Sequence, residues 1–248
     1  MMPAATCGSV SVQTLGLPAS TAIAAEKGTL PKAAFVGRGP VSAKLKARLT
    51  GDIASITLLG LLRPANTGAA DGRRVHEILV LGLRLNAGNA QETGPRVPVE
   101  VIEHIAAQRS GGILFVCVAD GSTAEGKPTE RCALAVRRRL PGRTGHVERF
   151  AVYSGAWTDP ADLLVDAAGA TMDDLWDSLC SQVIFGSEDP TGLDERLVRR
   201  DRIAALEADE ARLVGDHRRA KDPAKRNEAF AKLAKVRAEL ARLRGERG

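Results

Sequence analysis

The sequence predicts an α/β protein: a mixed β-sheet body with flanking helices, followed by a C-terminal antiparallel helical hairpin that packs like a coiled coil. Through the first part of the chain, short apolar runs bounded by turn residues alternate with segments of helical period. The last part instead carries apolar residues three and four apart in two long stretches. We therefore divide the chain into an irregular N-terminal lead-in at 1–30, an α/β body at 31–190 and a basic helical hairpin at 191–248.

The composition is that of a globular protein with an aliphatic core. Of the 248 residues, 44% are hydrophobic and 26% are charged, but only 3% are aromatic. No apolar run reaches the roughly 18 to 20 residues needed to cross a bilayer. The first basic residue is Lys27, too late for the basic start of a signal peptide. We expect a cytoplasmic protein that does not associate with a membrane.

The cysteines are scattered without C-x-x-C spacing, so the sequence indicates neither a zinc site nor a disulfide framework. One of them lies in the apolar run ILFVCV and is expected to be a small core residue. The four are Cys7, Cys117, Cys132 and Cys180.

The first half of the body is predicted to run helix, strand, strand, helix. Ser42 can cap a short helix in VSAKLKARLTGD. IASITLLGLLRP is rich in Ile and Leu and stops at proline, which predicts a strand. Residues 73–85, RRVHEILVLGLRL, are its expected hairpin partner, because PANTGAADGRR between them is rich in turn residues. Residues 97–109 fit an amphipathic helix.

Three further strands and a helix are predicted in the second half of the body. ILFVCVAD is a nearly continuous apolar run, typical of a strand covered on both faces. ERCALAVRRRL and HVERFAVYSGAW predict two more strands joined by the turn PGRTG. Residues 171–185 predict a helix with Thr171 as N-cap and Asp174 at the third helical position.

Two long helices with a short connection are predicted beyond the body, which implies an antiparallel hairpin. Thr191 is available to cap the first helix, and Asp222 followed by Pro223 begins the second. The expected apolar stripes are Leu193, Leu197, Ile203, Leu206 and Leu213 in the first helix, and Phe230, Leu233, Val236, Leu240 and Leu243 in the second.

The order of several segments resembles the prokaryotic family of unknown function DUF 4391. The segments are LGLPAST, LPKAAFV, HEILVLGLRL, GGILFVCV, VYSGAW, LWDSLCSQVI and KRNEAFAKLAKVRAEL. The resemblance extends from about Leu15 to Leu243. The resemblance implies an accessory protein encoded near helicases and DNA methyltransferases in bacterial defence and restriction loci. The chain departs from the family pattern at Arg84, where a lysine is usual, and in a longer glycine-rich segment at 120–145. The resemblance supplies no catalytic residues.

The candidate catalytic residues are Asp71 and Glu77, near the predicted hairpin. Nucleases of the restriction-endonuclease type hold Mg²⁺ with carboxylates from adjacent strands and use a lysine beside one of them. The usual Glu-x-Lys pair is absent here, because the position two after Glu77 is Leu79. Arg84, the only basic residue later on this strand, falls on the opposite face and cannot act as a base. We favour a structural role for Glu77, as the partner of a nearby arginine. The available arginines are Arg63, Arg73 and Arg74.

Other site classes lack their motifs. The four histidines show no metal-ligand spacing. The glycine-containing turns GRGP and RSGGILF have no Walker lysine, and the second precedes a strand rather than a helix. Ser154 is not part of a G-x-S-x-G motif. We predict no metal and no cofactor.

Basic clusters are the main functional signal. Residues 193–248 carry 16 Lys and Arg against 11 Asp and Glu, which accounts for the whole net charge of +5. Clustered cations can neutralise phosphates and give salt-sensitive nucleic-acid binding. Acidic residues, including Asp216, Asp222 and Glu228, are interleaved with the cations of the hairpin tip, and no aromatic residue is expected there to stack on bases. We therefore favour a solvated helical surface over a nucleic-acid site at the tip. The candidate nucleic-acid-binding residues are Arg137, Arg138 and Arg139 in the body, and Arg218, Arg219, Lys221, Lys225 and Arg226 at the tip.

Three functions remain open from the sequence. The first is a non-enzymatic accessory or interaction protein of a bacterial DNA-processing or phage-defence system, whose hairpin docks a helicase or DNA methyltransferase. The second is a degenerate Mg²⁺-dependent nuclease with Asp71 and Glu77 as ligands. The third is direct nucleic-acid binding through the hairpin tip.

Overall fold

The computed structural model describes residues 3–36, 41–86, 90–91, 94–122, 127–142 and 147–245. The strands are β1 (Thr6–Cys7), β2 (Val10–Ser11), β3 (Thr29–Leu30), β4 (Ile53–Leu62), β5 (Ile78–Leu85), β6 (Ala90–Gln91), β7 (Gly94–Pro95), β8 (Gly112–Ser122), β9 (Pro128–Arg139) and β10 (Phe150–Ser154). The α-helices are α1 (Ala25–Gly28), α2 (Ala43–Gly51), α3 (Pro64–Thr67), α4 (Val99–Ala107), α5 (Met172–Phe185), α6 (Leu193–Arg219) and α7 (Pro223–Gly245).

Six strands form one mixed sheet in the order β10-β9-β8-β5-β4-β3. β4 and β5 pair antiparallel with Leu62 opposite Ile78, which confirms the predicted hairpin. β5 and β8 pair in parallel. α4 lies in the crossover connection that a parallel pair requires. The α/β class with a mixed sheet, flanking helices and two C-terminal helices is therefore confirmed.

One core packs α2 and α4 against the sheet. Leu49 from α2 and Ile102 and Ile105 from α4 are buried together with Leu81 and Phe115 from the two parallel strands. The side chains are almost entirely aliphatic, as the low aromatic content predicts. Two helices, α2 and α5, begin at the residues that the sequence predicts as N-caps. Ser42 accepts from the Leu45 amide at the start of α2, and Thr171 and Asp174 form a capping box at the start of α5.

The N-terminal segment differs from the irregular lead-in expected at residues 1–30. It forms the two short strands β1 and β2, and β1 contacts β4 and β5. Cys7, Val10, Val12 and Leu15 are all buried. A Cβ atom added at Gly82 of β5 would lie 2.4 Å from the Cβ of Cys7, so the absence of a side chain there is what lets the segment lie against the sheet.

The four cysteines are buried free thiols, including Cys117 in β8, the expected core residue. Burial raises the pKa of Cys7 to about 12 and that of Cys180 to about 12. Burial likewise raises the pKa of Cys132 to about 11. These thiols stay protonated near neutral pH, so they lack the thiolate that cysteine chemistry needs.

Contacts divide the chain into two compact units. One comprises residues 1–139 and 148–191, and the other comprises 140–147 and 192–248. In the second unit α6 and α7 pair antiparallel around Ile203, Leu206, Leu240 and Leu243. The N-cap of α6 is Gly192 with a positive φ of 60°, not the expected Thr191, so no side chain caps that helix. Among the described helices, none combines the length and apolarity of a bilayer span.

Ion pairs between α6 and α7 fix their register. Arg202 and Glu239 form two parallel hydrogen bonds of 2.9 Å each, the bidentate geometry that arginine favours. Two more pairs, Arg237 with Glu210 and Arg244 with Glu207, have N–O distances of 2.7 Å. Three arginines and three glutamates of this basic hairpin therefore stabilise the pairing of its own helices.

Candidate functional site

Glu77, at the entrance of β5, is held by two arginines. Arg63, which follows β4, donates from Nε and Nη2 to Oε2 over 3.1 and 2.8 Å. Arg109, which follows α4, donates from Nη1 to Oε1 over 3.3 Å. Both carboxylate oxygens therefore accept from guanidinium groups, and a metal ion bound to Glu77 would have to displace at least one of them. Arg63 is one of the three partners that the sequence offered.

Asp71, the other candidate catalytic residue, is exposed and lies 2.9 Å from Nδ1 of His76. Arg84 forms ion pairs with Asp120 and Glu130. Within the described ranges, no three His, Cys, Asp or Glu side chains are arranged to hold a metal ion. This part of the chain therefore gives the nuclease hypothesis no assembled set of ligands.

A polar cavity of about 410 Å³ opens beside Glu77. Its cations face carboxylates of the same chain: Arg74 lies 3.2 Å from Asp177, and Arg109 pairs with Glu77. The cavity is an internally compensated charge network, and an anion entering it would compete with these carboxylates. Its polar lining side chains are Arg74, His76, Glu77, Gln108, Arg109 and Ser110.

Asp173 of α5 anchors the loop that leads into this cavity. Its carboxylate accepts from the backbone amides of Arg73 at 3.0 Å, Arg74 at 3.1 Å and Val75 at 2.8 Å. Burial by itself raises the pKa of Asp173, but the hydrogen bonds from the three amides outweigh it and bring the pKa below its ordinary value of 3.8. The charged form of Asp173 is therefore part of what holds the loop in place.

Replacing Asp173 by asparagine is expected to lower the free energy of unfolding at pH 7 by about 1–3 kcal/mol, because the amide accepts fewer of the three hydrogen bonds. The folded pKa of Asp173 is depressed, so its contribution is complete above the unfolded pKa and is lost as pH falls through the folded pKa. Urea titrations from pH 7 to pH 3 should show the variant losing less stability on acidification than the wild type. Asp166→Asn, at an exposed position, is the control, and an equal effect there would contradict the assignment.

A second cavity, of about 780 Å³, is lined by carboxylates and hydroxyls that the sequence analysis did not single out. Glu130 accepts from the backbone amide of Ser9 at 2.7 Å and from Arg84. Burial raises the pKa of Glu130, but the hydrogen bonds from Ser9 and Arg84 outweigh it, and the pKa is lowered. The polar lining is Ser9, Thr14, Asp120, Thr129, Glu130 and Asp159.

The arginine run 137–139 on β9 does not form one basic surface. Arg137 donates to Glu103 over 2.8 Å, and its guanidinium lies 3.7 Å from the ring centroid of Phe150. Arg138 is only 6% exposed and donates to Asp177 over 2.7 Å. Arg139 alone is largely exposed, and it pairs with Glu148. A phosphate bound by Arg137 or Arg138 would therefore have to compete with these internal carboxylates.

The cations of the hairpin tip are exposed. Arg219 pairs with Asp216 at 3.0 Å, and Arg226 donates to the backbone oxygen of Ala220 over 3.0 Å. The remaining candidates have no carboxylate partner among the described residues. These are Arg218, Lys221 and Lys225. Over residues 214–230 there are five Lys and Arg against three Asp and Glu.

Phe230 is the feature of the tip that sequence reasoning missed. It was expected to lie in the buried stripe of α7, but its side chain is 60% exposed. Its ring centroid lies 6.2 Å from that of His217 on α6, with a 46° angle between the planes. The tip therefore carries an exposed aromatic ring among its cations, contrary to the expectation that no aromatic residue would be there.

Comparison with known proteins finds a family whose model matches most of the chain. The family model described as "Domain of unknown function (DUF4391)" matches residues 15–240. No curated protein and no solved structure matches the chain.

Proposed function

The chain belongs to the DUF4391 family, and on that premise we propose that it is a non-enzymatic accessory protein that contacts nucleic acid through the tip of its helical hairpin. The family description assigns no activity, so the proposal depends on the chemistry of the described residues. The surface concerned, called the tip below, comprises residues 214–230 at the junction of α6 and α7.

The observation that carries the proposal is the exposed ring of Phe230 on a surface rich in exposed cations. Nucleic-acid-binding proteins combine basic groups that track the phosphate backbone with aromatic rings that meet the bases. Arg218, Lys221 and Lys225 are not held by carboxylates of the described chain, so contact with a phosphate would not have to break an existing ion pair. The arginines of β9 differ in this respect, because two of them are already committed to internal carboxylates.

Family resemblance suggests the setting in which this contact would act. Relatives are expected beside helicases and DNA methyltransferases of bacterial defence and restriction systems, so a partner of that kind and a cytoplasmic location belong to the proposal. Co-purification of the full chain from its native operon tests the partner, and recovery of neither enzyme would remove that part of the proposal.

Neutralising three tip cations is expected to weaken nucleic-acid binding and to reduce its dependence on salt. In Arg218→Gln/Lys221→Gln/Lys225→Gln, the slope of log K against log salt should become less steep by about 2 for a single strand, since each phosphate contact contributes about 0.7. Fluorescence anisotropy of labelled 20-mers, single-stranded and duplex, over 50–200 mM salt measures both quantities.

The matched control removes the same charge from the other compact unit. Lys27→Gln/Lys46→Gln/Arg149→Gln changes three exposed cations there and should leave the slope within about 0.5 of the wild type. Equal losses in the two triple variants would indicate a net-charge effect and overturn the tip as the contact surface. Absence of binding by the wild-type chain to either oligonucleotide would overturn the proposed function itself.

A further inference from the structure

We infer that the nucleic acid bound at the tip is single-stranded and that Phe230 stacks on an unpaired base, an inference that rests on the proposed function. The ring is the large apolar group of this surface, with 60% of its area exposed. Its neighbours on the seam of α7, by contrast, are nearly inaccessible, with Leu233 at 6% and Leu240 at 2%. Phe230 therefore lies outside the buried seam, and beyond its contact with His217 of α6 most of the ring is accessible to a ligand.

The spacing along α7 explains why the ring points away from α6. The buried positions Ala229, Leu233, Leu240 and Leu243, with the half-buried Val236, follow one another at intervals of four, three, four and three residues. This is the seam spacing of a coiled coil. Phe230 follows Ala229 by one residue, and one residue corresponds to about 100° around a helix. The small Ala229 thus occupies the seam, and the ring is turned out of it.

The groups around the ring suit a nucleotide. Arg226 lies one helical turn before Phe230 on the same face of α7. His217 contacts the ring from α6, and the exposed Arg218 follows it directly in the chain. Val214, 42% exposed, lies three residues before His217 and shares its face. A base on the ring would therefore have cations on both helices within reach of its flanking phosphates.

Stacking on an exposed ring selects for single strands. In a duplex the faces of the bases are already stacked on their neighbours, whereas an unpaired strand can place a base against the aromatic ring. Cations alone would serve duplex and single strand alike. The five cations of residues 214–230 are three arginines and two lysines. Arginine and phenylalanine are also common at protein interfaces, so binding of a protein instead of a nucleic acid is the alternative outcome that the test below separates.

The test compares a 20-nucleotide oligo-dT strand with a 20-base-pair duplex by fluorescence anisotropy on the full chain. Phe230→Ala should weaken oligo-dT binding by about 5- to 150-fold, the loss of one base stacked on an aromatic ring. Duplex binding should change by less than about twofold. Phe230→Trp should keep or strengthen oligo-dT binding, because it preserves the aromatic face.

Val198→Ala is the matched control, since Val198 is an apolar side chain of the same hairpin with 54% of its area exposed. It should leave oligo-dT affinity unchanged, and circular dichroism should show equal helix content in all variants. If both oligonucleotides bind through the cations but Phe230→Ala changes neither, the proposed function stands and the stacking inference is wrong. If Phe230→Ala instead abolishes recovery of a co-purified protein and the chain binds neither oligonucleotide, both are wrong.

Discussion

Replacing Gly82 by alanine is expected to lower the free energy of unfolding by about 3 kcal/mol, at the upper end for an overpacked core position. The added Cβ would lie 2.4 Å from the Cβ and 3.0 Å from the Sγ of Cys7, and 3.3 Å from a methyl group of Leu59. Gly82 belongs to β5, which is paired on both sides, so the strand has little freedom to move. The N-terminal segment would have to shift instead. Urea unfolding followed by circular dichroism measures the loss.

Gly51→Ala is the control for this substitution. Gly51 lies at the end of α2, and a Cβ there would meet nothing within 4 Å. Because alanine has the higher helix propensity, the control should be neutral or more stable by up to about 1 kcal/mol. Adding Cys7→Gly to Gly82→Ala should recover part of the loss, as expected for two residues in contact. Equal destabilisation by both alanine substitutions would contradict the proposed packing of the N-terminal segment.

The sheet and its helices were predictable because their signals are local. ILFVCVAD could be assigned to a covered strand from its own residues, and Thr171 and Asp174 mark the start of α5 through a capping box that spans four positions. The packing of the N-terminal segment was not predictable in the same way. Its burial depends on a gap above Gly82, and a single sequence does not show which strand faces that gap.

The partners of the candidate cations were not predictable for a similar reason. The arginines at 137–139 are adjacent in sequence, but the partners that separate their roles are distant, Glu103 by 34 residues and Asp177 by 39. Alternation along β9 could have indicated that adjacent arginines face opposite sides of the sheet. At the tip, the missed signal was Ala229. An interval of three residues before Leu233 would place Phe230 in the seam. An interval of four places Ala229 in the seam instead and leaves Phe230 outside it.

The roles of adjacent arginines on β9 can be separated by experiment. Arg138→Met is expected to lower the free energy of unfolding by about 3 kcal/mol, the lower end for breaking a buried ion pair. Methionine retains the apolar stem but leaves Asp177, whose side chain is 25% exposed, without its 2.7 Å partner. The loss stays at the lower end because Asp177 keeps Arg74 at 3.2 Å. Urea unfolding at pH 7 gives the value.

Arg139→Met is the matched control one residue away. Arg139 is 61% exposed and pairs with Glu148, itself 57% exposed, so its removal should change the free energy of unfolding by less than about 0.5 kcal/mol. The two variants make the same chemical change on the same strand and differ in burial and partner. Equal free energies of unfolding for the two variants would mean that the ion pair between Arg138 and Asp177 does not stabilise the protein. Arg138 would then be available for the phosphate-binding role predicted from the sequence. A several-fold larger loss of stability in Arg138→Met than in Arg139→Met would show that Arg138 is held by its internal ion pair, unlike the tip cations that have no carboxylate partner among the described residues.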